Sequence, residues 1–214
     1  MIPIRPDIKP KIDSRYNYII LLQPIKAMSK TLLNNSVITF FSAKKEYSTL
    51  SNFWEKDVVI MANNNERVYE SGEYCFQGEK YTRLGELCED KNRKTELIDY
   101  GKTFMKPSRY KTSACAKKMG GKKGLLLSRD ELEKWHSISI DVQHSICNWK
   151  SANYEEVRED LLKSGNKILI HPAMRCSDEK LEKTRPWEGR AKIENGEVIV
   201  LGKNLLGNIW MKYR

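Results

Sequence analysis

The residues whose types and spacing are suited to chemistry lie in residues 70–81. If this segment forms a helix, Glu73, Gln77 and Lys80 fall on one stripe, because they are four and three residues apart. Burying a carboxylate, an amide and an amine costs free energy unless each group finds a partner. The pattern therefore predicts either a ligand site or a hydrogen-bonded core network. The same stripe carries three apolar side chains: Phe76, Leu84 and Leu87.

A purely structural interpretation of this helix is also open. Ser71 is a suitable N-cap, which places Glu73 in the first turn, where the backbone amides favour a carboxylate. Glu73 and Lys80 are also close enough for a structural ion pair through Gln77. The opposite face is expected to be solvated, and it carries Cys75, Glu79, Thr82 and Glu86.

The composition is typical of a soluble globular protein. The chain has 214 residues, of which 40% are hydrophobic and 31% charged, and this length favours one domain with a sizeable core. The apolar run at residues 18–22 is far shorter than a membrane-spanning helix requires. We therefore expect no membrane association and no secretory signal.

The cysteines and histidines indicate neither a disulfide framework nor a metal centre. The five cysteines are scattered, include no CxxC pair and are odd in number, which is typical of a reducing compartment such as the cytoplasm or nucleus. The three histidines have no spacing that suits a metal cluster. These residues are Cys75, Cys88, Cys115, Cys147 and Cys176, with His136, His144 and His171.

The charge balance is strongly basic. A formal net charge of +10 and a pI near 9.3 attract polyanions and phosphate-bearing ligands. A lysine-rich surface that serves only solubility is the alternative. The charge supports a phosphorylated substrate without identifying one.

The elements that position the helical stripe follow from hydrophobic periodicity and turn residues. Residues 1–35 are basic and interrupted by four prolines, so we expect an N-terminal extension without regular structure. An added strand at residues 16–22 and a polyanion-binding tail are the alternatives. Strands are predicted at 36–41, 57–61, 67–69 and 167–171, with a hairpin at 192–201 whose Asn195-Gly196 pair suits a two-residue turn. Residues 177–190 are expected to be irregular.

Helices dominate the rest of the predicted fold. A capping box at residues 128–131 opens a long amphipathic helix with Trp135 and Trp149 at core spacing. Further helices are predicted at 90–105, 109–119, 153–165 and after Gly202. The sequence therefore predicts a single-domain α+β fold, mainly helical, with a small antiparallel sheet.

Three segments resemble the YbiA-like or NADAR family when taken together and in order. They are Ser51-Asn52-Phe53, residues 71–81 and residues 202–211, which are similar to the family patterns S-N-F, S-E-H-Y-F-Q-x-x-K-F and G-x-N-x-L-G-x-x-L-M. The resemblance covers residues 36–214 and implies a YbiA-like domain there. This sequence has Tyr74 where the family has His, and it has an additional Gly72.

The resemblance implies an N-glycosidase, that is, a hydrolase acting on N-glycosyl bonds without a metal or redox cofactor. Members act on early riboflavin-pathway intermediates or remove ADP-ribose from guanine bases and related adducts. The implied partner is an ADP-ribose-containing substrate, including DNA or RNA that bears ADP-ribosylated guanine. The basic charge favours the ADP-ribosylated guanine reading. A binding module for ADP-ribose or nucleic acid that has lost catalysis is a further alternative.

On this reading, Glu73 is the catalytic carboxylate. Cleavage at an anomeric carbon develops positive charge on the ribose, which a carboxylate stabilises before water captures it. Lys80 either acts electrostatically, on Glu73 or a phosphate, or forms a Schiff base with a ring-opened ribose. Gln77 is expected to position Glu73.

The expected substrate-binding residues come from the same resemblance. Asn52 and Asn204 suit hydrogen bonds to ribose hydroxyls or a phosphate, with N-capping or turn formation as the structural alternative for both. Trp187 suits stacking on a base. His171 stands where the family has a carboxylate, and Thr184 where the family's D-x-x-W-G pattern has its acid. The full predicted set is Asn52, Phe53, Gln77, Trp135, His171, Trp187, Asn204 and Gly207.

Overall fold

The computed structural model describes residues 30–42, 46–62 and 65–214. Of the predicted N-terminal extension, residues 1–29 lie outside this description. Residues 30–36 are helical, so the expectation of irregular structure is wrong for the end of that segment.

The central helix, α1 (Gly72–Glu86), carries the predicted stripe. The chain is extended at Ser71 and turns into the helix where the Glu73 amide donates to the Asn52 carbonyl at 2.7 Å. Ser71 is the N-cap residue but makes no side-chain cap. Its hydroxyl hydrogen-bonds to the Ser113 hydroxyl at 2.8 Å instead.

The face of α1 that was expected to be solvated is buried. Cys75, Glu79 and Thr82 are all buried there, whereas Leu87, from the predicted apolar stripe, is 54% exposed. The reason is that α2 (Lys91–Lys102) and a β-hairpin pack against α1. The Glu79 carboxylate is satisfied in place: Tyr69 donates at 2.8 Å, Arg83 at 2.7 Å and Arg67 at 3.3 Å.

The strands form three pairs within the described residues. Strands β2 (Val58–Ala62) and β3 (Asn65–Tyr69) are antiparallel, as are β5 (Arg190–Glu194) and β6 (Glu197–Leu201). The turn of the second hairpin uses Asn195 and Gly196, both with positive φ, which confirms the predicted two-residue turn.

The third pair differs from the predicted antiparallel sheet. Strand β1 (Val37–Thr39) lies parallel to β4 (Ile168–Ile170), with Val37 beside Ile168. A parallel pair needs a long crossover, and here almost the whole of the helical part of the chain lies between the two strands. Sequence periodicity predicts each of the two strands, but it does not predict that they pair with each other.

The longest helix, α4 (Arg129–Asn153), begins at the predicted capping box, in which Ser128 and Glu131 cap each other. It separates two hydrophobic core clusters. Trp135 and Ile146 belong to the cluster around α1, and Cys147 belongs to the cluster around β1 and β4.

Four shorter helices complete the described part of the chain: α3 (Ser113–Met119), α5 (Glu155–Ser164), α6 (Asp178–Thr184) and α7 (Leu205–Met211). Helix α6 lies in the segment that was predicted to be irregular, and Ser177 caps it. The α+β prediction with helices dominant is confirmed. No helix of the described residues is both long and apolar enough to span a membrane.

Candidate functional site

A cavity of about 600 Å³ lies beside α1. Most of its wall comes from four places in the chain: the loop at 51–53, helix α1, the residues after β4 and the loop at 184–188. Single residues of α3, α4 and α7 and the two residues at 41–42 complete it. Six of the predicted site residues line it, namely Asn52, Phe53, Glu73, Gln77, His171 and Trp187. Lys80, Trp135, Asn204 and Gly207 do not.

Glu73 is the buried acid of this cavity. Its side chain is only 6% exposed, and it accepts a hydrogen bond from the Gln77 amide at 2.9 Å, its one hydrogen-bond partner among residues 30–42, 46–62 and 65–214. Burial raises the pKa of Glu73, while Lys117, Gln77 and Lys80 oppose the rise. The carboxylate is therefore held in place but only lightly stabilised as an anion.

Lys80 lies behind Gln77. Its amine donates to the Gln77 side-chain oxygen at 2.8 Å and to the Gly120 carbonyl. Burial lowers the pKa of Lys80 to about 8, against the opposing effect of Glu73. Glu73, Gln77 and Lys80 thus form one hydrogen-bonded chain, and Lys80 is at its far end from the cavity.

Lys117, on α3, is the lysine that lines the cavity. Its amine lies 5.4 Å from the centre of the Phe53 ring and interacts electrostatically with Glu73. Sequence reasoning missed it because it belongs to a short helix that matches none of the three family patterns. Its position in the basic stretch 117–123 was the available signal.

Asn52 is held by a reciprocal pair of amide hydrogen bonds. Its nitrogen donates to Gln143 at 2.8 Å, and the Gln143 nitrogen donates back at 3.1 Å. Gln143, on α4, also lines the cavity, and the sequence analysis did not single it out. The Gln143 nitrogen also donates to Cys147 Sγ at 3.4 Å, so Gln143 retains acceptor capacity for a ligand, whereas Asn52 retains both a donor and an acceptor.

The loop that carries Asn52 and Phe53 rests on a buried lysine. Lys150 is 1% exposed and donates to the Thr49 carbonyl at 2.5 Å and the Ser51 carbonyl at 2.9 Å. Burial lowers the pKa of Lys150 to about 7, and no acidic side chain pairs with it among the residues described. This lysine fixes the backbone of the loop.

His171 lines the cavity immediately after β4. Its ring stacks on Phe40 with 5.6 Å between centroids, and burial lowers its pKa to about 4, so the imidazole is neutral near neutral pH. Its Nδ1 is buried and has no hydrogen-bond partner in the described part of the chain. Buried polar atoms are almost always satisfied, so this nitrogen points to a bound ligand or water.

An aromatic row extends from the cavity into the core. Trp187 lines the cavity and lies edge-on to Phe76 at 5.3 Å, and Phe76 lies edge-on to Trp135 at 5.0 Å. Trp135 is buried behind Phe76 and so contributes to packing rather than to the lining. Trp187 and Phe76 both line the cavity, whereas Trp135 does not.

Asn204 and Gly207 pack against the backbone around β4 rather than lining the cavity. Asn204 is 2% exposed, accepts from the His171 amide at 3.1 Å and donates to the Leu169 carbonyl at 2.8 Å. It has a positive φ of 45°, which Asn tolerates better than most residues. A side chain at Gly207 would collide with the Leu169 carbonyl, so this glycine permits α7 to approach β4. Asn204 therefore holds the backbone of His171 in place, and Gly207 gives Asn204 and Leu169 the room to pack against α7.

The loop at 184–188 closes one wall of the cavity. Glu188 follows Trp187 in this loop, and its carboxylate pairs with Arg185 at 2.9 Å. Thr184 also lines the cavity. The described residues contain no group of three or more His, Cys, Asp or Glu side chains that could hold a metal ion.

The chain is similar to a solved structure in fold, and no sequence-level match accompanies this similarity. No family profile matches the chain, and no curated protein matches it in sequence. The NMR structure of the E. coli protein YbiA is similar to this chain with a TM-score of 0.47 and 20% identity. The similarity covers 84% of this chain and 83% of that one.

Proposed function

We propose that this protein is an N-glycosidase that releases ADP-ribose from ADP-ribosylated guanine. The observation that carries the proposal is Glu73, a buried carboxylate at the wall of a cavity of about 600 Å³ that has a single hydrogen-bond partner in the part of the chain that the structure describes. The resemblance of residues 51–53, 71–81 and 202–211 to the family patterns gives the reaction class.

The reaction breaks the bond between the anomeric carbon of the ribose and a nitrogen of guanine. Guanine leaves with the electron pair and takes up a proton, and water supplies the hydroxyl that is added to the sugar. Glu73 stabilises the developing oxocarbenium charge and accepts the proton of the attacking water. A position with 6% exposure strengthens both effects, because there is little solvent to screen the carboxylate.

The other lining groups fit the remaining parts of such a substrate. Trp187 provides a face for a base, since stacking on an aromatic side chain is worth roughly 1–3 kcal/mol. Lys117 provides a cation for the pyrophosphate. The unpartnered Nδ1 of His171 and the amides of Asn52 and Gln143 provide hydrogen bonds for ribose hydroxyls.

The first test compares wild type with Glu73→Gln on ADP-ribosylated guanosine, with release of ADP-ribose followed by chromatography. We expect loss of at least about a hundred-fold in kcat, because the amide cannot stabilise positive charge or accept the proton. Glu89→Gln is the matched control, since Glu89 is exposed just after α1. Equal activity of wild type and Glu73→Gln would refute the assignment of Glu73.

Two further measurements on the same protein distinguish the alternative substrate and the alternative of a binding module without catalysis. An early riboflavin-pathway intermediate with a ribosylated nitrogen serves as the second substrate. Turnover of that compound alone would refute the proposed substrate but keep the reaction class. Binding of ADP-ribose without turnover of either compound would favour a binding module.

Borohydride trapping decides which lysine, if any, reacts with the sugar. A Schiff base forms when the amine adds to the ring-opened aldehyde and water leaves, and borohydride reduces it to a stable amine. Lys80 already donates to Gln77 and Gly120, so we expect no adduct on it. An adduct that disappears in Lys117→Ala would assign this role to Lys117, and one that disappears only in Lys80→Ala would refute the electrostatic role of Lys80.

A further inference from the structure

A long stretch of the chain beside the cavity is basic and contains no acid. Between Asp99 and Asp130 there are nine basic residues and no acidic one. Three of the nine form ion pairs, with Asp99, Asp57 and Glu133. The other six are exposed and form no ion pair within the described residues: Arg109, Lys111, Lys117, Lys118, Lys122 and Lys123. We name residues 109–123 the basic segment.

The basic segment is fixed to the helix that carries Glu73. Side chains of α1 contact it near its start, at the beginning of α3 and just after α3. Its position relative to Glu73 is therefore set by hydrogen bonds rather than by a free loop. The three contacts are Tyr74 Oη to the Tyr110 carbonyl at 2.8 Å, Ser71 Oγ to Ser113 Oγ at 2.8 Å, and Lys80 Nζ to the Gly120 carbonyl.

The basic segment also forms part of two adjoining cavities. Lys117 lines the main cavity, and residues 112–114 line a second cavity of about 490 Å³. The two cavities share Ser42 and Phe53 in their walls. A chain-like ligand whose reacting unit occupies the main cavity can pass Phe53 into the second cavity, whose wall includes residues 112–114 of the basic segment and one acid, Glu55.

We propose that the basic segment binds the phosphate backbone of a single-stranded nucleic acid while one modified base occupies the cavity, a proposal that rests on the proposed function. Unpaired cations that follow one segment match a polyphosphate backbone. Glu73 is 6% exposed, so a base stacked within a duplex cannot reach it, whereas a base in a single strand can. Phe53 and Trp187 add the aromatic surfaces that single-strand binding uses and that an anionic membrane does not need.

The test measures binding of an unmodified, fluorescently labelled oligodeoxynucleotide of about 20 nucleotides by anisotropy over a range of salt concentrations. The variant Lys118→Gln/Lys122→Gln/Lys123→Gln removes three charges and leaves Lys117 in place. We expect at least a ten-fold loss of affinity and a salt slope reduced by about 2, since each phosphate contact contributes about 0.7 for a single strand. The matched control, Lys134→Gln/Lys180→Gln/Lys212→Gln, removes the same charge from exposed positions on other elements and is expected to bind like wild type.

Three results would overturn the proposal. Equal weakening by the two triple variants would show a nonspecific effect of net charge. Tighter binding to a duplex of the same sequence would exclude the single strand. Binding to phosphatidylserine vesicles but not to the oligonucleotide would make the segment a membrane surface.

Turnover of free ADP-ribosylated guanosine separates this proposal from the function itself. The basic-segment variant is expected to keep that activity, because none of its three changes lies at the cavity. If wild type lacks the activity but still binds the strand through the basic segment, the proposed function fails and the binding surface stands. If wild type is active but the variant binds the strand normally, the surface assignment fails alone.

Discussion

Glu73 and Lys80 belong to one hydrogen-bonded chain, and burial favours the neutral form of both. It raises the pKa of Glu73 and lowers the pKa of Lys80 to about 8. Gln77 lies between them, donating to the acid and accepting from the amine. The amide therefore transmits the position of Lys80 to Glu73 without a direct ion pair.

The raised pKa of Glu73 predicts a pH-dependent cost to folding. The folded state binds this proton more tightly than the unfolded state, whose pKa is near 4.5. The stability that this tighter proton binding contributes is fully present below about pH 4.5. It is lost as the pH rises through the pKa of Glu73 in the folded state. Glu73→Gln lacks this loss, so its free energy of unfolding should rise relative to that of wild type as the pH increases above about 4.5. Urea denaturation of both proteins measures the difference, and parallel pH curves would contradict the prediction.

Lys150 predicts the opposite pH trend. Its folded pKa of about 7 lies below the ordinary value of 10.5, so the folded state holds the proton less tightly than the unfolded state. The penalty is full below about pH 7 and disappears as the pH rises toward 10.5. Relative to Lys150→Met, wild type should gain stability between about pH 7 and pH 9, by up to about 1.4 kcal/mol per pH unit. Lys134→Met, at an exposed position, is the control and should show no such gain.

At the scale of elements, α3 and the turn after it determine how α1 presents its polar stripe. Gly120 lies against the Gln77 side chain, and a methyl group there would overlap the Gln77 amide. The helical φ of −72° at Gly120 suits any residue, so the requirement for glycine is contact rather than backbone conformation. The site therefore depends on a close approach between two elements.

Gly120→Ala should displace Gln77 and, through it, Glu73. We expect kcat to fall by about ten- to a hundred-fold, as small misplacements of catalytic groups do, with a smaller effect on KM. Gly121→Ala is a matched control, because the nearest atoms to its added methyl group are ordinary contacts at 3.5 and 3.6 Å. Steady-state kinetics of the two variants measures the difference. The same loss in both would mean that the turn, rather than the Gln77 contact, sets the rate.

The sequence predicts the elements of the site better than their surroundings. The stripe of α1 is visible because helical periodicity is a property of neighbouring residues. The burial of Glu79 cannot be predicted from the sequence, because its partners Arg67 and Tyr69 come from a hairpin that meets α1 only in the fold. Gln143 escapes prediction for the same reason: its partner Asn52 is 91 residues away in the sequence and meets it only in the fold.

Family patterns also mislead where a residue is needed for packing. Asn204 matches a family position, yet both of its amide contacts are with the backbone around β4. Lys117 matches no pattern and lines the cavity. A linear motif does not distinguish a residue that contacts a ligand from one that holds such a residue in place.

At the scale of the whole molecule, the two hydrophobic clusters meet along α4, and the cavity takes lining residues from both. Phe76 is packed against the cluster around α1, and Leu206 belongs to the cluster around β1 and β4. A relative movement of the clusters would therefore change the cavity directly. Whether the two clusters unfold together or separately therefore determines how the cavity is maintained.

Thiol labelling reports on that cooperativity. Cys75 lies in one cluster and Cys147 in the other, and both are fully buried, whereas Cys115 is exposed. We expect Cys115 to react at once, and Cys75 and Cys147 to react together at the rate of global unfolding. Mass spectrometry of labelled peptides measures each rate. Faster labelling of Cys147 than of Cys75 would mean that the β1–β4 cluster opens independently.

The row from Trp187 through Phe76 to Trp135 gives the protein an optical reporter of its own. Trp187 borders the cavity, whereas Trp135 is buried, so their indoles emit from different surroundings. A purine stacked on Trp187 would quench its emission and leave that of Trp135 largely unchanged. The difference spectrum between wild type and Trp187→Phe would then follow occupancy of the cavity in unlabelled protein, for substrates that are turned over and for ligands that are only bound.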